Sequence, residues 1–151
     1  MLKDKVLFGA LIGILANIVM DIPQYPLWKL KIIMHPLSHY AGSLFIDANT
    51  LHHSLFGSAV SFFADYSYSA FLGIFFIYFL EFTGKRYFFL KGLLFGAFIW
   101  LFSFGGLRSL AMVKLRQVVP GDWGIIFLLH LLFGLALGVL ARFFEKRAIN
   151  I

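Results

Sequence analysis

The chain has 151 residues, of which 61% are hydrophobic, 19% aromatic and only 13% charged, with a mean hydropathy of +0.88 and a formal charge of +6. A soluble domain is nearer 45–50% apolar and about 25% charged, and a chain this short cannot hide so much apolar surface from water. A soluble globular protein and a disordered one are both excluded, which leaves an integral membrane protein. The basic residues are scattered between apolar stretches rather than gathered into an arm, so nucleic acid is not an expected partner; the lipid bilayer is. With no cysteine there is no disulfide, thiolate nucleophile or Cys-based metal site.

Taken in chain order, Met1-Leu-Lys-Asp-Lys5 followed by apolar residues resembles a signal peptide. The apolar stretch to Ile22 is too long for one, however, and no A-x-A-like site follows it. It is therefore expected to be the first span, about 6–25, closed by Pro23 and Pro26. A long first outer loop, about 28–56, follows and is itself apolar at Ile32-Ile-Met34 and Leu44-Phe-Ile46, as an interfacial or re-entrant segment requires. A second span at about 57–80 ends before Thr83-Gly-Lys-Arg86, a third at about 91–110 before Pro120-Gly-Asp122, and a fourth covers about 124–144. None alternates with period two, so the expected fold is an all-α, single-domain bundle of four transmembrane helices over 1–151.

Lysine and arginine set the expected orientation. The N-terminal tail, the middle loop and the C-terminus hold eight (Lys3, Lys5, Lys85, Arg86, Lys91, Arg142, Lys146 and Arg147), and the other two loops hold four (Lys29, Lys31, Lys114 and Arg116). Positive-inside then places both termini in the cytoplasm of a multi-pass protein of the cell membrane. The halves also resemble each other: Leu7-Phe-Gly-Ala10 recurs as Leu94-Phe-Gly-Ala97, and Leu72-Gly-Ile74 is echoed by Leu137-Gly-Val139. Two tandem helical hairpins would explain the recurrence. Each span carries small residues four apart: Gly9 and Gly13, Gly57 and Ser61, Gly92 and Gly96, Gly134 and Gly138. Such pairs let helices approach closely, either within the chain or across a homodimer seam.

Ionisable residues inside spans are expensive and point to function. Asp21 and Asp65 stand out, joined by Arg108, His130 and Asn17. At about 1.5 Å per residue the first four fall in the outer third of the bilayer, on four different helices. The Leu-Phe-Gly-Ala match aligns Asp21 with Arg108, the Leu-Gly match aligns Asp65 with His130, and the expected compensation is acid against base. Each also has a structural reading. Arg108, after Gly105-Gly106, would snorkel to the headgroups, His130 would be a hydrogen-bonded core histidine, and Asp21 would cap donors near Pro23. Asp65, flanked by Ser61, Tyr66, Ser67, Tyr68 and Ser69, points most strongly to a polar pocket open to the outside.

The outer loop holds His35, His39, His52 and His53, with Asp47 among them. Imidazoles and a carboxylate suit a divalent transition metal, and His35 and His39 share a helical face if Pro36 opens a helix behind a His35 cap. The run Asn49-Thr-Leu-His52-His53 resembles part of the H-x-x-H-H box of membrane di-iron desaturases, without their other boxes. His53-Ser54-Leu55 resembles the T-H-S-L piece of a membrane-bound metal-dependent hydrolase family whose D-x-D-H element is missing here. A wider pattern, Lys91-Gly92…Gly96…Trp100 with His130…Gly134…Gly138, is similar to that of small uncharacterised four-helix integral membrane proteins of Firmicutes. This resemblance covers the second half of the chain, implies the four-helix fold, draws attention to His130 and transfers no activity.

The expected function is solute or ion binding or transport at an outward-facing intramembrane pocket of Asp65, Asp21, Arg108, His130 and Asn17. The alternative is a structural or assembly subunit of a larger membrane complex. A metal-dependent enzyme of the extracytoplasmic face is the distant third, and no resident cofactor is expected under the first two.

Overall fold

The computed structural model describes residues 4–107, 109–110, 115 and 121–148, the side chains of 48, 52 and 145–148 excepted. It is all-helical, with no strand among the described residues. In order come α1 (Lys5–Lys29), α2 (Leu37–Gly42), α3 (Ala48–His53), α4 (Leu55–Thr83), α5 (Phe88–Trp100), a π-helix (Leu101–Leu107) and α6 (Asp122–Ala148). Four stretches are long and apolar enough to cross a membrane: α1, α4, α5 with its π extension, and α6 over Asp122–Phe144. Length and composition thus make this a multi-pass membrane protein.

Short polar side chains start and stop these helices. Asp4 caps α1 by accepting from the backbone N–H of Val6 at 2.7 Å, and Ser54 caps α4 through Gly57 N–H at 2.8 Å. Gly84, at φ +84°, ends α4 in a backbone conformation that side-chain-bearing residues avoid, and Lys91 Nζ donates to the Thr83 carbonyl at 2.9 Å.

Two expectations about helix ends are corrected, and the third span holds an unexpected change of geometry. Pro23 and Pro26 do not close α1; both lie inside it, and the helix runs on to Lys29. Proline stops a helix by removing a donor, but in hydrocarbon the backbone has no water to turn to, and neighbouring groups hold the helical path. The third span leaves α-geometry at Trp100 and continues as a seven-residue π-helix through Gly105-Gly106. In the outer loop Pro36 is the N-cap of α2 rather than its first residue.

Helix packing follows the small residues. On α1, Gly9, Gly13, Asn17 and Asp21 form a buried stripe four residues apart, and on α4 so do Ser61, Asp65, Ser69 and Gly73. A Cβ added at Gly13 would lie 2.1 Å from the Ser69 carbonyl oxygen, and one at Gly73 2.1 Å from that of Gly9. The α5–α6 pair is built the same way: a Cβ at Gly92 would meet Gly134 O at 2.2 Å, one at Gly134 would meet Gly92 O at 2.1 Å, and one at Gly96 would meet His130 O at 2.2 Å. Gly9 and Gly13 therefore correspond to Gly92 and Gly96, Gly73 to Gly134, and Ser69 to His130. This register is one helical turn away from the sequence matches, which paired Gly9 with Gly96 through Leu-Phe-Gly-Ala and Asp65 with His130 through Leu-Gly. Gly57 and Ser61 do not face another span; they seat the outer loop, Gly57 under α3 and Ser61 under Gly42 of α2.

The α1–α4 and α5–α6 pairs join chiefly where α1 lies along α6, while α4 scarcely touches α5 or α6. Where α4 and α5 do meet, towards Thr83, rings make the contact: Phe76 and Phe79 stand 5.2 and 6.1 Å from Phe95. At the opposite end the outer loop closes over the bundle. Tyr40 packs edge-on to Phe104 at 5.2 Å, and the Met34 N–H donates to Asp122 at the start of α6 at 3.0 Å.

Candidate functional site

The gap between α4 and α5 is a cavity of about 710 Å³, to which every long helix and α2 contribute. Its walls are mostly apolar and aromatic. Met20 of α1, Tyr40 of α2, Phe63 of α4, Ile99 of α5, Phe104 of the π-helix and Phe133 of α6 all line it. Phe45, Phe56, Phe63 and Phe71 combine cavity lining with exposures between 61% and 69%, so they mark its mouth. Three of them stand on α4 and Phe45 follows α2, so the mouth lies beside α4 and the outer loop.

Into this apolar space the chain places Asp65 and His130, 5% and 7% exposed. Asp65 Oδ2 accepts from Asn17 Nδ2 at 2.9 Å, and Asn17 is itself fully buried with its Oδ1 unsatisfied. His130 Nδ1 lies 2.7 Å from the Ile126 carbonyl oxygen one turn back. A carbonyl only accepts, so Nδ1 carries the proton and, in the neutral ring, Nε2 presents its lone pair. Phe104 meets the imidazole edge-on at 5.6 Å. Across the cavity the hydroxyls of Tyr68 and Ser103 pair at 3.2 Å, one donating to the other, and tie α4 to the π-helix. π-Helical turns tend to occur at functional sites, and this one supplies Ser103, Phe104 and Leu107 to the lining.

Asp21 sits behind this wall. Its Oδ1 accepts from Gln24 Nε2 at 2.9 Å and its Oδ2 from the Tyr66 hydroxyl at 3.0 Å. Gln24 Oε1 in turn accepts from Leu37 N–H at 3.2 Å, linking the carboxylate to the first residue of α2. Asp21 therefore satisfies side chains rather than backbone donors near Pro23.

The expected constellation is thus partly assembled. Asp65 and His130 share one cavity, Asn17 touches Asp65, and Asp21 joins a neighbouring network through α1. Asp65 and His130 do not pair with each other: Asp65 takes an amide from α1, and His130 turns to its own helix. Arg108 lies outside the described residues. Gln24, Tyr66 and Ser103 were not singled out from the sequence. Gln24 stands three residues after Asp21 on one helical face, a spacing that brings side chains together, and was the legible one.

Two of the outer-loop histidines, His35 and His39, take part in aromatic packing. The His35 and His39 rings are 6.3 Å apart, His39 stands edge-on to Trp28 at 5.5 Å, and His35 to Tyr40 at 5.9 Å. Asp47 caps α3, accepting from Thr50 N–H at 3.0 Å and from Thr50 Oγ1 at 2.8 Å, and these bonds hold its carboxyl below the usual range. His53 ends α3, and the side chain of His52 lies outside the described residues. Among the described residues no three His, Asp or Glu groups converge on one point.

Comparison of the chain with protein-family models, with curated proteins and with solved structures finds no match.

Proposed function

We propose that this protein binds an amphipathic molecule dissolved in the bilayer, taking it through the mouth beside α4 and the outer loop as a carrier or transporter would. The observation that carries this reading is the cavity of about 710 Å³ itself, apolar on its walls, rimmed by exposed phenylalanines and holding Asp65 and His130 within. Its size suits one small organic ligand, since such sites measure about 300–1,000 Å³ and combine apolar walls with a few placed polar groups. At hydrocarbon depth a flank opening admits lipid-like molecules without passage through water, so the solute expected from composition becomes a membrane-soluble one.

The assembly-subunit reading draws less support. The glycines that would serve a docking seam (Gly9, Gly13, Gly92, Gly96, Gly134 and Gly138) all face backbone of this same chain. A homodimer or larger complex would have to use other surfaces.

The reading includes two tandem hairpins, α1–α4 and α5–α6, with both termini cytoplasmic. Its support is the gathering of Lys5, Lys91 and Arg142 at one end: Lys5 pairs with Glu81 at 2.5 Å, Lys91 caps α4, and Arg142 lies over Phe89 at 5.6 Å. A cysteine at Thr83 should then be shielded from impermeant thiol reagents in intact cells, while one at Asn49 should label. The reverse pattern would turn the bundle over.

Binding is tested with a long-chain alcohol bearing a photoactivatable diazirine, added to the purified protein in bicelles. Crosslinks should concentrate on the peptides carrying 56–71 and 99–107. Ala64→Trp, which fills the cavity from α4, should reduce them at least tenfold. Crosslinks spread evenly over lipid-facing residues and indifferent to Ala64→Trp would refute the reading.

A further inference from the structure

We infer that the cavity selects a lipophilic cation, an organic ammonium or similar positive group carried on an apolar body. This rests on the ligand-binding reading of the same cavity and adds the charge of the ligand. Asp65 is 5% exposed, and only one of its oxygens is engaged: Oδ2 accepts from Asn17, and Oδ1 accepts no hydrogen bond among the described residues. The partner it has is a neutral amide. Charged groups within a membrane pair with one another or face a polar pathway, because an isolated ion there is costly. Among the described residues no lysine or arginine lines the cavity.

The other polar groups lead the same way. His130 offers a lone pair at Nε2, since its Nδ1 proton is engaged by the Ile126 carbonyl. The Tyr68 and Ser103 hydroxyls bond to each other, and the one that accepts keeps its own proton. A second carboxylate, Asp21, stands behind the wall with neutral donors, Tyr66 and Gln24, as its partners. Among the described residues the site therefore offers Asp65 Oδ1 and the His130 lone pair as acceptors, with no lysine or arginine beside them. Aromatic faces complete the complement: Tyr40, Phe63 and Phe104 line the cavity, and ring faces attract a cation most when it is shielded from water. An anionic amphiphile would bring like charge towards Asp65. A neutral one would gain the apolar walls and, if it carries a hydroxyl, a hydrogen bond to these acceptors, without the attraction of opposite charge.

Three diazirine probes with the same hexadecyl chain separate these cases: a trimethylammonium, an alcohol and a carboxylate, compared at equal membrane concentration. The ammonium probe should crosslink to the cavity peptides at least tenfold more than the alcohol, and the carboxylate less than either. In Asp65→Asn the ammonium-to-alcohol ratio should fall to about twofold or less. A second measurement needs no variant. On the wild-type protein, tetraphenylphosphonium should displace the ammonium probe at least tenfold better than tetraphenylborate, its counterpart of opposite charge, with membrane partitioning of each measured and matched. Cavity crosslinking with equal yields from ammonium and alcohol overturns the charge selection while leaving the cavity as a binding site. The same holds for equal displacement by the two tetraphenyl ions. Crosslinks that avoid the cavity with all three probes overturn the binding reading as well.

Discussion

Asn17→Leu should destabilise the bundle by about 2–3 kcal/mol, as leaving a buried carboxylate without its hydrogen-bond donor does. Asn17 is fully buried, and its amide is the donor that reaches Asp65, at 2.9 Å. Leucine keeps the branched shape and number of side-chain heavy atoms and removes that donor, so a carboxylate within the membrane loses its hydrogen bond. Adding Asp65→Asn to Asn17→Leu removes the charge that was left alone and should recover most of the loss. The interaction energy in the double-mutant cycle should be about 2 kcal/mol or more, against a few tenths for independent sites. Unfolding in mixed micelles measures all four proteins. Equal destabilisation of Asn17→Leu with and without Asp65→Asn would show that Asn17 does not serve the carboxylate. His130→Ala provides a contrast. It shares no hydrogen bond with Asp65, so its effect should add to that of Asp65→Ala instead of cancelling it.

Gly134→Ala should be as damaging despite adding a single methyl group. That methyl would lie 2.1 Å from Gly92 O and 2.8 Å from Gly96 N, and no rotamer relieves a clash with backbone. Either α5 and α6 separate or the helix distorts; overpacking on this scale costs about 3 kcal/mol. Gly124→Ala, ten residues earlier on the same helix, is the control, because nothing lies within 4 Å of its added Cβ. There alanine should be neutral or stabilise by up to about 1 kcal/mol through helix propensity. Thermal melting of both variants in bicelles is the measurement. A Gly134→Ala protein as stable as wild type would mean that the α5–α6 seam is not closed at this distance.

The spans and most of the small-residue seams were legible because both depend on properties of one helix at a time. A run of apolar side chains needs only length, and Gly9 with Gly13 or Gly92 with Gly96 needs only a spacing of four. Asp21, Asp65 and Asn17 stood out for a related reason, as polar groups in apolar surroundings. Which of them meet depends on the register between helices, and no spacing along a single helix contains that. The matches at Leu94-Phe-Gly-Ala97 and Leu137-Gly138 each lay one turn out of the actual register, and neither says which residue Asp65 meets. Pro23 and Pro26 misled because their usual effect assumes water at the broken rung. The π-helix was hidden for a different reason: Gly105-Gly106 marks weakened α-geometry but does not say whether the chain stops there or widens.

The unequal contacts between helices also have a mechanical consequence. The α1–α4 and α5–α6 pairs are each held by backbone-to-backbone approach, so they resist internal sliding, and they join along α1 and α6. Two stiff boards joined along one edge behave like the covers of a book, with α1 and α6 as the spine and α4 and α5 as the free edges. With packed helices about 9 Å apart, a turn of about 10° at the spine displaces a free edge by roughly 1.5 Å. No glycine contact within a cover need break for that to happen. What such a turn does strain is the clasp across the free edges, the Tyr68–Ser103 hydroxyl pair and the Phe76–Phe95 ring contact. The width of the mouth is therefore governed by weak side-chain contacts between covers that are themselves rigid.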